Sequence, residues 1–250
     1  PAVMKSDGSS AGEGVIPVAT PDAARRAYER LNTPVLFRTA LTGSLFRGDD
    51  NLWRRLAARQ RPAVCLQRFI PGWPATATVA CWRGAVLDMT TLEVLEVAWP
   101  NGPATVVRYI RSPEMEAAVR RIVERLGLSG LHGFDFMLDA QGRASVIEIN
   151  PRATPTAHLP SNRGRKLLTG LRQAAAGRAA NETEGALDSQ DGRVVALYPG
   201  ELRRDPHSAW LMEARHDAPA DPALLQLARR PVLRDFLAHR LRIFDAEATA

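Results

Sequence analysis

Cysteine is nearly missing: the 250 residues hold only Cys65 and Cys81. Two thiols cannot build the disulfide framework of a small secreted domain, and nothing in their placement demands a bond, so a reducing cytosol is the expected compartment. No stretch approaches the roughly 20 apolar residues of a membrane-spanning helix, so no membrane partner is expected. The chain opens on Pro1, with neither a Met nor a charged segment leading into an apolar run, and a truncated front is expected. Aromatics make up only 6%, and neither a base-stacking motif nor a zinc module is present. The net charge of +6 therefore does not argue for nucleic acid. The arginine pairs Arg120-Arg121, Arg203-Arg204 and Arg229-Arg230 are scattered along the chain as on a solvated surface. Lysine is also scarce. Of 33 basic residues, only Lys5 and Lys166 are lysine.

What is present is globular. With 45% hydrophobic and 24% charged residues, the chain can bury the core of one large or two small domains. Helices are expected over Pro21–Leu31, with Pro at its start, over Leu52–Arg59, and over Pro113–Leu126, which ends at the C-cap Gly127. Strands are expected near Val3–Lys5, Val64–Ile70, Thr76–Trp82, Gly84–Glu96 and Thr105–Ile110, and a further helix over Arg163–Arg178. This is an α+β pattern in two lobes, about 1–70 and 71–178. A linker over 179–192 follows, then a C-terminal helical extension over 193–250 in which Val194–Tyr198 forms a last strand and Pro206, Pro222 and Pro231 mark boundaries.

Gly133 to Asn150 reads GFDFMLDAQGRASVIEIN, two apolar strands meeting at a glycine turn and carrying acidic residues on one face. With a two-residue loop at Gln141-Gly142, Asp135 falls opposite Glu148, and Asn150 falls on the same face opposite Gly133, which leaves that corner open. Like charges facing each other across a sheet destabilise it, and a divalent cation removes the conflict. Carboxylate and amide oxygens are hard ligands, no His or Cys lies in the hairpin, and few protein ligands leave room for water and phosphate, so Asp135, Glu148 and Asn150 point to magnesium rather than calcium or zinc. A solvated hairpin is the plainer alternative.

At the front, VMKSDGSSAGEGV places Lys5 at the end of an apolar strand, followed by Gly8, Ser9, Ser10, Gly12 and Gly14. Small residues let backbone N–H groups approach a phosphate, although the spacing fits neither the Walker pattern nor the dinucleotide fingerprint. In a chain that otherwise uses arginine, a lysine here indicates a need for a compact ammonium.

The GFDF…IEINPR string resembles the C-terminal motif of the ATP-grasp superfamily, the carboxylate–amine and carboxylate–thiol ligases including the carbamoyl-phosphate synthase type. The resemblance covers about residues 1–170 and lacks its front. It implies that Asp135, Glu148 and Asn150 bind magnesium on the ATP phosphates, that Arg152 meets the transferring phosphate or the substrate, and that Lys5 holds the phosphates ahead of a mobile glycine loop. VCLQRFIPG resembles the family's nucleotide hinge, which implies that Gln67 assists at the adenine edge while Phe69 and Ile70 supply backbone groups and apolar contact. One departure stands out. Family members often carry a glutamate just past the hinge that holds the ribose, whereas here the stretch is Trp73-Pro74-Ala75-Thr76, with Thr76 or Thr78 as weaker substitutes. The implied activity is an ATP-dependent ligase that activates a carboxylate as an acyl phosphate and joins it to an amine. Its implied partners are ATP, Mg2+, the two small-molecule substrates and an upstream domain, and a homodimer is compatible with it. The alternative is a non-catalytic ATP-binding module for sensing or assembly. Thr154, Thr156 and the nearby His132 and His158 are further candidates for substrate contact, the histidines weighed against plain strand-capping and loop roles.

Overall fold

The computed structural model describes residues 1–7, 14–37, 40–41, 51–59, 61–178, 189–213 and 215–218. Gly8, Ser9, Ser10 and Gly12 of the glycine loop lie outside these. The chain divides into two compact units, with the described residues of the first within Pro1–Phe69 and the second running over Ile70–Ala218.

The first unit is a three-stranded antiparallel sheet in the order β2 (Val15–Val18), β1 (Ala2–Ser6), β3 (Val64–Arg68). Helix α1 (Pro21–Leu31) covers one face, burying Ala27 and Leu31 against Met4 and Val18. It begins where the sequence says it should. Thr20 caps it by accepting from Ala23 N at 3.2 Å, and Pro21 sits in the first turn, where its missing N–H costs nothing. Strand β2 is not among the strands expected from the sequence, and it contains Pro17. It is an edge strand, the place where proline is tolerated. A short helix, α2 (Asn51–Ala57), completes the labelled elements of this unit.

The second unit is built on a seven-stranded sheet. Its strands are β4 (Trp73–Trp82), β5 (Ala85–Val97), β6 (Ala104–Tyr109), β7 (Gly130–Leu138), β8 (Ala144–Asn150), β9 (Val194–Ala196) and β10 (Arg215–His216), ordered β10-β9-β6-β5-β4-β7-β8. All neighbours are antiparallel except β9 and β10. Helix α3 (Pro113–Leu126) lies on one face, where Met115, Val119 and Val123 meet Ala75, Ala77, Val79, Phe134 and Phe136. Ser112 caps its start, and Gly127, at φ 61°, ends it in the left-handed conformation that glycine adopts without strain. With helices flanking antiparallel sheets, the architecture is the α+β class the sequence implies.

Two boundaries differ from expectation. The helix expected from Arg163 begins only at Leu167, as α4 (Leu167–Ala175), because Ser161 ties the preceding residues into a turn. Ser161 N donates to Arg165 O at 2.7 Å, and Ser161 Oγ accepts from the backbone N–H groups of both Arg163 and Arg165. The segment expected as a C-terminal extension from residue 193 is, in its described part, integral to the main sheet. β9 pairs with β6, β10 pairs with β9, and α5 (Gly200–Arg204) and α6 (Ala209–Glu213) lie between them. The anchor is Glu201, fully buried and bonded to Arg204 at 2.6 and 2.7 Å and to Ser208 Oγ. A carboxylate this deep is kept only when its partners replace water.

Candidate functional site

The hairpin of β7 and β8 is closed by a three-residue loop, not the expected two. Asp139 N donates to Arg143 O at 3.1 Å, Gly142 N donates to Asp139 O at 2.8 Å, and Gly142 takes φ 76°. The Asp139 carboxylate holds the turn from within, accepting from Gln141 N at 2.9 Å and Arg143 N at 3.0 Å and pairing with Arg143 Nε at 2.6 Å. That loop moves the register by one: Leu138 faces Ala144 and Phe136 faces Val146. Continued unchanged, it would set Glu148 opposite Phe134 and turn its side chain to the apolar face. A bulge at Ile147 restores the register, so Asp135 faces Glu148 and Gly133 faces Asn150, as the sequence implies but by a different route.

The acidic face is assembled in two rows across the sheet. One runs Leu92, Thr76, Asp135, Glu148, and the other runs Thr90, Thr78, Gly133, Asn150. Asn150 Nδ2 donates to Asp135 Oδ2 at 2.9 Å, which directs the amide at the carboxylate and leaves its acceptor Oδ1 for another donor or a cation. Asp135 is half-buried and Glu148 exposed. Two facing carboxylates and an amide oxygen are a hard donor set of the kind magnesium takes with few protein ligands and several waters, so these residues fit that ion. Among the described residues no group of three or more His, Cys, Asp or Glu could hold a metal ion, so the third donor here is the Asn150 amide.

Arg152 follows Asn150 closely. Its backbone N–H donates to Asn150 O at 2.8 Å, and its exposed guanidinium makes one long bond, 3.4 Å, to Ala153 O. The corner expected to be open beside Gly133 is filled. A Cβ on Gly133 would lie 2.2 Å from the Thr154 methyl, so only glycine fits there. Thr154 and Thr156, expected to face substrate, instead bond to Thr78 at 3.0 and 2.8 Å. Thr78 is fully buried, and nearly buried Thr76 donates to Phe134 O at 3.3 Å, so neither hydroxyl is available to a ribose. His132 is buried with Nε2 at Ser129 O, while His158 pairs with Asp217 at 2.6 Å.

In the first unit, Lys5 and Gln67 share the face of the small sheet turned away from α1, since Lys5 faces Cys65 and Val3 faces Gln67 across the β1–β3 pair. Ser6 N donates to Gly14 O at 3.0 Å, and Gly14 has φ 74°, so the glycine loop is closed at its base. Phe69 is exposed, and its N–H is already given to Pro1 O at 3.3 Å, leaving its carbonyl for any hinge contact. Ile70 is half-buried at the start of the second unit.

Residues 40–156 match the family model of the ATP-grasp domain, a span that includes the hinge and the acidic hairpin but not Lys5. Over those residues the chain is similar to the ATP-grasp domain. Its fold is similar to the biotin carboxylase domain of 2-oxoglutarate carboxylase from Hydrogenobacter thermophilus, solved with MgADP, ADP and bicarbonate, at TM-score 0.50 and 16% identity over 78% of this chain and 40% of that one. Also similar are an L-amino acid ligase from Bacillus licheniformis (TM-score 0.48, 18% identity, 78% of this chain and 45% of that one) and carboxyaminoimidazole ribonucleotide synthase from Aspergillus clavatus complexed with ATP (TM-score 0.46, 15% identity, 78% and 45%). The chain thus spans less than half the length of these structures. No helix among the described residues is long and apolar enough to cross a membrane.

Proposed function

We propose that this chain is the nucleotide-binding and catalytic portion of an ATP-dependent carboxylate–amine ligase. The observation that carries the reading is the convergence of Asp135, Glu148 and Asn150 on one face of the hairpin, with Arg152 two residues beyond. A substrate carboxylate oxygen attacks the γ-phosphorus of ATP, the bond to the ADP oxygen breaks, and an acyl phosphate forms. An amine nitrogen then attacks the acyl carbon, phosphate leaves with the C–O electron pair, and the amine surrenders a proton as the amide forms.

The residues divide that labour. Asp135, Glu148 and Asn150 would hold magnesium, which when bound neutralises phosphate charge. The Arg152 guanidinium offsets charge that spreads over the phosphoryl oxygens during transfer. Lys5, with the glycine loop of Gly8, Ser9, Ser10, Gly12 and Gly14, is assigned to the ground-state phosphates, and Gln67, Phe69 and Ile70 to the adenine edge. Because Lys5 would act on ground and transition states alike, Lys5→Met should raise the KM for ATP more than it lowers kcat.

A non-catalytic ATP-binding module is favoured by one observation: no acidic residue lies just past the hinge, over residues 73–78, and the hydroxyls of Thr76 and Thr78 are spent within the fold. Hydroxylamine separates the readings, since it intercepts activated acyl groups. The full-length protein with ATP, magnesium and a panel of amino and hydroxy acids should yield a hydroxamate, and the yield should depend on Arg152. If ATP binds but neither hydroxamate nor ADP forms with any acid, the module is the better reading.

A further inference from the structure

Thr78, Thr154 and Thr156 meet in a closed group of hydroxyls that the reaction above does not use. Thr78 Oγ1 lies 3.0 Å from Thr154 Oγ1 and 2.8 Å from Thr156 Oγ1, and the last two are 3.3 Å apart. We infer that Thr78 is a positioning residue for Arg152, its hydroxyl fixing through Thr154 and Thr156 the segment from which the guanidinium projects. The inference rests on the role proposed for Arg152 and adds to it the part of the fold that sets where that side chain starts.

Three features carry it. Each threonine hydroxyl has one proton to donate and lone pairs to accept, so three of them can satisfy one another in a ring. Thr78 and Thr156 are buried, which makes such a ring costly to leave half-made. Second, the seat is shaped for this contact. Thr78 and Gly133 face each other across β4 and β7, and the Thr154 methyl fills the space that any side chain at Gly133 would take. Third, Arg152 sits midway along a short arch with both feet held. At one foot Asn150 is in β8 and bonded to Asp135, and at the other Thr154 is seated on Thr78 and Gly133. Four residues reach at most about 14 Å even when extended, so an arch tied at both ends leaves its middle residue little room. The bond from Arg152 N to Asn150 O tightens it further.

Misplacing a reacting group by about 1 Å can cost roughly a hundredfold in rate. The experiment compares Thr78→Val, which keeps the shape and removes the hydroxyl, with Thr78→Ser, which keeps the hydroxyl. Two readouts are taken on the full-length protein: steady-state kinetics, and backbone hydrogen exchange over residues 151–158. The Val variant should lose about tenfold or more in kcat with the KM for ATP nearly unchanged, and its loop amides should exchange faster. The Ser variant should restore both. Should Thr78→Val fail to fold, Thr156→Val removes the same ring from the loop side and is read in the same way. Parental kcat in the Val variant, or parental exchange over 151–158, overturns the inference. A parent with no ATP-dependent turnover tells instead against the proposed ligase, while the exchange result still decides whether Thr78 orders the arch.

Discussion

On one face of β4 and β7, Ala75, Ala77, Val79, Phe134 and Phe136 bury apolar carbon beneath α3. On the other, Thr78 bonds to Thr154 and Thr156 of the loop, Thr76 donates to Phe134 O and Asp135 accepts from Asn150, and β4 is buried along most of its length. The first face is held by area, which is non-directional and tolerant of small shifts. Around Thr78 the second is held by hydrogen bonds, which fix distances. The residues proposed to act on phosphate, Asp135, Glu148, Asn150 and Arg152, belong to this hydrogen-bonded side and its loop.

The comparison breaks most visibly at Phe134. Truncation to Ala removes a fully buried ring from the apolar face and should cost about 3–5 kcal/mol, read as a lower denaturant midpoint. A loss below about 1 kcal/mol would mean that α3 and the sheet collapse into the space and that the apolar face is less tightly fitted than its burial implies. On the other face, Arg152→Met should leave the midpoint unchanged, because the guanidinium is exposed. It should lower kcat roughly a hundredfold or more, the scale set by removing a group that meets developing charge. Unchanged turnover in that variant would remove Arg152 from the site.

Glu148→Gln sharpens the contrast further. Facing like charges cost a sheet up to about 1 kcal/mol, so without nucleotide the variant should be as stable as the parent or slightly more so. With magnesium and ATP its affinity should fall about tenfold or more, the scale seen when even the surroundings of a metal ligand are altered. Calorimetry with and without magnesium checks both halves, and an unaltered affinity would exclude Glu148 as a ligand.

The helices were legible because their signals are local. Thr20-Pro21 and Ser112-Pro113 start α1 and α3, and Gly127 stops the second. The acidic pair was legible for a less secure reason. The assumed loop was one residue too short, and the bulge at Ile147 offset the error, so a correct register at Asp135 and Glu148 came from a turn that Asp139 had built differently. The hydroxyl group of Thr78, Thr154 and Thr156 was not legible, because it joins positions 76 and 78 apart and threonine carries no pattern that marks such a pairing. A strand at β9 is expected from the sequence, but its place in the main sheet is not legible, and β10 is too short to show a period; both are placed only by pairing with β6 and with each other.

The smallest effect is expected where the loop on the polar face leaves the threonines. His158 Nε2 meets Asp217 Oδ2 at 2.6 Å, and Asp217 also accepts from Tyr198 N. The bond to Asp217 raises the His158 pKa, burial opposes the shift, and the Asp217 charge and the Pro155 carbonyl reinforce it. A group whose pKa is raised on folding stabilises fully below its unfolded value, near 6.5, and loses that contribution as pH climbs through the folded value. His158 is about half exposed, so solvent screens the pair and the gain is modest. Hydrogen exchange over residues 153–160 should therefore be slower in the parent than in His158→Gln at pH 6. The two should converge as the pH rises above 7, while amides of β4 and β7 on the apolar core show no such difference. A gap between parent and variant that stays constant from pH 6 to pH 9 would mean the ring acts by its shape alone, and the charged clasp at this end of the loop would be lost from the comparison.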